Sequence, residues 1–114
     1  MDNRLNDALA FANYRLTLQV QRQNIEARVA AAMILSFQNA IFTATQELIG
    51  HVGLLTVRGD TVLVSDNSGN VIEIANSNDF LTQLIKTYNS AMKLKQEEQQ
   101  RLKSARSTAK IVGL

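Results

Sequence analysis

The chain has no cysteine, no proline, one histidine, no glycine before Gly50, and aromatic side chains at only 5% of positions. Without cysteine there are no disulfides, no thiolate nucleophile and no cysteine-held zinc, which suits a reducing compartment such as the cytoplasm. Without proline or an early glycine, nothing between Asp2 and Ile49 forces a helix to break. A lone histidine leaves general-base or nucleophile-activating chemistry without a partner at a recognisable spacing. The five glycines are dispersed and none precedes a Lys-Ser or Lys-Thr pair, so no phosphate-cradling loop is present. The N-terminus sets Asp2 and Asp7 beside Arg4 and carries no basic-then-apolar leader, so it does not read as a secretory signal.

With aromatics so scarce, the apolar mass is alanine, leucine, isoleucine and valine, a balance that favours helix packing. A chain of 114 residues fits a single domain, 1–114, which can bury roughly two thirds of its unfolded surface. The net charge of +2 is too small to imply a nucleic-acid partner, but it is unevenly spread. Residues 1–50 are neutral, 51–92 carry −2 and 93–114 carry +4, so positive charge collects at the C-terminal end.

Periodicity predicts an α+β fold: a long N-terminal helix over 2–49, a three-stranded antiparallel meander over 52–75, a C-terminal helix over 77–106, and a flexible basic tail over 107–114. In the first half of the long helix, Leu5, Leu9, Ala12 and Leu16 fall on one stripe. From Val29 to Ile49 apolar residues surround the axis, with Leu35, Phe42 and Ile49 on one line, as in a buried helix. Ser36, Gln38, Asn39, Thr43 and Gln46 interrupt that stretch, which leaves it short of the ~18 apolar residues of a membrane span. A helix this long would run roughly 65–70 Å at 1.5 Å per residue, so part of it must project or pack against another copy.

Gly50 and Gly53 are expected to end the helix. The β-branched runs Leu54 to Val57, Thr61 to Ser65 and Asn70 to Ile74 then alternate as strands, with Leu55, Val57, Val62, Val64, Ile72 and Ile74 sharing a face. The second helix begins at Asn76 or Ser77, either of which can cap it, with Asp79 in its first turn. Its apolar stripe of Leu81, Leu84, Ile85, Tyr88 and Met92 gives way to Lys, Glu, Gln and Arg.

His51, at the expected helix end, reads as a capping or packing residue. Asp60, Asp66 and Glu73 read as turn and strand residues, and Asp66 to Asn70 lacks the alternating ligands and closing glutamate of a calcium loop. No catalytic residue, metal or cofactor is therefore assigned. The residues with a functional reading are partner-binding ones. They are the apolar Leu5, Leu9 and Leu16; the basic Lys93, Lys95, Arg101, Lys103 and Arg106; and the apolar tip Ile111, Val112 and Leu114. The basic residues can neutralise phosphates, but no aromatic is interleaved for base stacking, and Glu97 and Arg101 have the spacing of an ion pair.

The opening Leu5-Asn6-Asp7-Ala8-Leu9 with Phe11-Ala12-Asn13-Tyr14, the Ala30-Ala31-Ala32-Met33-Ile34-Leu35 block and the overall layout resemble small accessory proteins of tailed phages. Among these the chain is most similar to the head vertex assembly chaperones of T-even-like phages. The resemblance implies a non-structural protein that helps start the portal vertex of the prohead at the inner membrane face, with a capsid portal protein as partner. It carries no site residues with it. The function expected is thus a non-enzymatic, self-associating assembly factor or chaperone in the cytoplasm, that of the host if phage-encoded, with peripheral membrane contact and no span. The alternative is a nucleic-acid-binding accessory protein using the basic C-terminal helix.

Overall fold

The computed structural model describes residues 3–111, with side chains described over 4–105. Three helices and two small antiparallel hairpins follow in the order α1 (Asn3–Ala32), β1 (Ile34–Phe37), β2 (Ala40–Thr43), α2 (Gln46–Arg58), β3 (Leu63–Ser65), β4 (Val71–Glu73) and α3 (Ser77–Ile111). The fold is mixed helix and strand, but the expected helix over 2–49 is broken at Met33, and the three-stranded meander is replaced by two separate two-stranded sheets.

The break has a physical cause. From Ile34 to Thr43 the side chains alternate: Leu35, Phe37, Ala40 and Phe42 turn inward while Ile34, Ser36 and Ile41 stay exposed. Leu35 and Phe42, which look like neighbours on a helix stripe, are partners across the hairpin. The turn between them is Gln38-Asn39, both at positive φ (50° and 61°), the conformation that matches the twist of a two-residue hairpin. Met33 closes α1 by donating to Val29 O and Ala30 O, and its own carbonyl accepts from Ala44 N at 2.8 Å.

Gly50 and Gly53 do not terminate a helix; both lie inside α2, and the segment 54–57 expected as a strand is that helix's last turn. Thr45 caps α2 by accepting from Leu48 N, and Gly59 ends it in the left-handed conformation, φ 75°. Val57, expected on a buried sheet face, is 87% exposed as a result. His51 falls in the middle of α2 and is exposed, so it is not a helix-end cap.

The second hairpin keeps more of the expected pattern. Val62, Val64 and Ile74 are buried and Ile72 is half-buried, while Leu63 and Val71 face out. Asp66 shapes the turn by accepting from Ser68 N at 3.0 Å and Asn70 N at 2.8 Å. The turn rests on the first hairpin, where Asn67 N donates to Ile41 O at 2.8 Å and the Asn67 amide bonds the Thr43 hydroxyl. Asn76 caps α3 by accepting from Asp79 N. The helix continues through residue 111, past the point where a flexible tail is expected; residues 112–114 lie outside the described chain.

Two cores result. In the head, Phe42, Val52, Phe80 and Leu84 are fully buried, and the Phe80 ring lies 4.8 Å from Phe37 and 4.9 Å from Phe42. In the stalk, Ile25 and Val29 of α1 pack with Ala91 of α3, flanked by Met33, Met92, Leu94 and Leu102. Phe37, just past the end of α1, meets Phe80 at the start of α3, while Arg28 reaches Glu98 farther along it, so residue numbers fall along α1 as they rise along α3, and the two helices are antiparallel. The molecule is drawn out to 71 × 25 × 19 Å.

Candidate partner-binding surface

The long, nearly all-apolar stretch from Val29 to Ile49 is not the feature that needs a partner. Val29 and Met33 pack in the stalk core with Ala91, and the inward residues from Leu35 to Ile49 are covered by the head, where Phe80 and Leu84 of α3 lie. Apolar side chains are left uncovered at Leu54, Val57, Leu63 and Val71 of the head, and in a regular row at the other end of α1. Leu5, Leu9 and Leu16 are 61%, 55% and 59% exposed, and Val20 is exposed beside them, while Phe11, also exposed, lies on the line of Leu18.

Their direction is what matters. At about 100° per residue, Leu16 and Leu18 sit about 200° apart, and Leu18 is the half-buried one. The inward stripe of Leu18, Ile25 and Val29 runs toward α3, so Leu5, Leu9, Ala12 and Leu16 form a second stripe on the opposite side. Spacings of four, three and four along this outer stripe are those of a coiled-coil seam. Its leucines point away from every other described element. Phe11, the only phenylalanine outside the head, lies under the Arg15 guanidinium at 5.8 Å.

The helix also outruns its neighbour. With Arg28 level with Glu98, thirteen residues further along α3 bring Ile111 level with residue 15 of α1. Upstream of that point, α1 has no counterpart among the described residues.

The basic residues of α3 do not form one patch. Arg101 is drawn to Glu98 at 3.4 Å, and Glu98 also holds Arg28 at 3.2 Å; its side chain is only 12% exposed, so on this edge of the stalk both arginines share one largely covered carboxylate. Lys95 and Lys103 line the other edge, where a groove of about 640 Å³ runs between α1 and α3. Arg22, which sequence periodicity does not single out, faces them across it. Lys93 lies on an adjoining face with Asn89 and Gln96. The side chains of Arg106 and Ile111, and the whole of Val112 and Leu114, lie outside the described residues.

The acidic side chains are dispersed. Asp60 pairs with Arg58 at 3.0 Å, Asp66 is committed to its turn, and among the described residues no group of three or more potential ligands gathers as a metal site. No helix among the described residues is long and apolar enough to cross a membrane. Comparison with protein-family models, with curated proteins and with solved structures found no match.

Proposed function

We propose that the protein is a non-enzymatic assembly factor or chaperone that self-associates through the outer stripe of α1 and binds a protein partner. The observation that carries this reading is the exposed seam Leu5-Leu9-Ala12-Leu16, turned away from the chain's own core. A solvent-facing row of leucines at coiled-coil spacing is stabilised by a second helix. The three leucines are already partly covered by their own helix, so pairing removes only part of each side chain from water against the loss of translational and rotational freedom on association. The expected product is a weak, concentration-dependent oligomer of the kind an assembly factor needs in order to release its client.

The resemblance to head vertex assembly chaperones supports the same class of activity, with a capsid portal protein as the client and the host cytoplasm or inner membrane face as the place. Sedimentation velocity across the micromolar range tests the reading. The native chain should shift from monomer to dimer or larger as concentration rises, and Leu9→Asp with Leu16→Asp should stay monomeric with an unchanged helical signal. A native chain that remains monomeric throughout removes the reading.

A further inference from the structure

The two edges of the stalk differ in a way that self-association does not use. On one edge Glu98 ties Arg28 and Arg101 together. On the other, Arg22, Lys95 and Lys103 border the groove and make no ion pair with another described residue. Glu26 is the only acid among the lining residues, which leaves a local excess of positive charge. The floor beneath is apolar: Ile25 and Val29 are buried, and Met33 and Leu102 are half-buried.

We propose that this groove is the docking site for an acidic amphipathic helix of a partner protein. Two antiparallel helices present a trough into which the apolar ridge of a third can lie. Charge complementarity sets the partner's chemistry. Lys95 and Lys103 are eight residues apart on α3, about 12 Å along its axis at 1.5 Å per residue. A helix lying along the groove meets both with carboxylates seven or eight positions apart, and presents leucine or isoleucine to Met33 and Leu102 between them. A second copy of this chain is a poor occupant, because among the described residues the outer stripe of α1 is flanked by Arg15 and neutral residues rather than by acids. A phosphate backbone would satisfy the cations but not the apolar floor, and no aromatic side chain lines the groove to stack on a base.

The test titrates the full chain into labelled helical peptides that share a leucine ridge and carry either glutamate or lysine at the flanking positions. The glutamate peptide should bind saturably and at least tenfold more tightly than the lysine peptide. Lys95→Glu with Lys103→Glu should reverse that order. Arg4→Glu with Lys86→Glu, an equal change of net charge at exposed sites away from the groove, should leave it unchanged. Leu9→Asp with Leu16→Asp should also bind the glutamate peptide normally, so this proposal and the self-association reading fail separately. Absence of saturable binding, or equal loss in both charge-reversed proteins, overturns the assignment. So does tighter binding to duplex DNA or to phosphatidylglycerol vesicles that Lys95→Glu with Lys103→Glu abolishes.

Discussion

Arg28 and Glu98, seventy positions apart in sequence, meet at 3.2 Å and mark the register of α1 against α3. Glu98 also accepts from Arg101 at 3.4 Å, so one largely covered carboxylate serves two guanidinium groups. That register places the paired charges on one edge of the stalk and the unpaired cations on the other. It also decides how far α1 extends beyond the part of α3 that can shield it.

Replacing Glu98 with alanine should cost about 0.5–1 kcal/mol, because both arginines are more than half exposed and their pairing is weakened by water. The loss should shrink in 1 M salt, where the screening length falls to about 3 Å. Urea denaturation at low and high salt measures both.

Gly50 and Gly59 should respond to alanine in opposite directions. Gly50 lies inside α2 with open space where a Cβ would project, so Gly50→Ala should stabilise the protein by about 0.5–1 kcal/mol. Gly59 holds the left-handed cap at φ 75°, so Gly59→Ala should destabilise by roughly 1–2 kcal/mol. Paired thermal melts distinguish the two; equal destabilisation would place a helix end at Gly50 after all.

Gln38 joins the two hairpins. From its left-handed turn position, its side-chain amide donates to Glu73 O at 3.1 Å and its carbonyl accepts from Ala75 N at 2.9 Å. Gln38→Ala removes both bonds and keeps the turn strain, so it should cost about 1 kcal/mol. Hydrogen exchange at Ala75 N should speed up well beyond the change at Leu84 N, which reports the core.

Phe80 is the keystone of the head, fully buried and in ring contact with Phe37 and Phe42. Phe80→Ala should cost roughly 3–5 kcal/mol, a large share of the stability of a chain this size. Chemical denaturation should show the loss as a lower midpoint, and the near-ultraviolet signal of the head should weaken. A loss below about 1 kcal/mol would mean the ring cluster does not hold the head together.

Several features of the fold were legible because the information is local. Asn76 and Asp79 announce the start of α3, Asp66 with Gly69 announces the second turn, and the spacing of Leu5, Leu9, Ala12 and Leu16 marks a helix stripe. Each depends on a side chain bonding its own backbone or on one face of one helix. Of the groove, Lys95 and Lys103 stood out as charges, whereas Arg22 did not, since its role comes from lying opposite them on another helix.

The amino-acid order by itself determined the α1 outer stripe, the capped α3 and the Asp66 turn, whose energetics close within a few residues. Tertiary structure decided the path from Met33 to Gly59. There the residues suit either a helix or a hairpin: no proline interrupts them, and Leu35 and Phe42 are as well spaced for one as for the other. Only the arrival of Phe80 and Leu84 gives the inward face of the hairpin something to be buried against, and only the packing of Val52 and Gly53 on α3 outweighs two glycines to keep α2 helical. Burial against residues far away in sequence selects between backbone forms that are locally close in free energy.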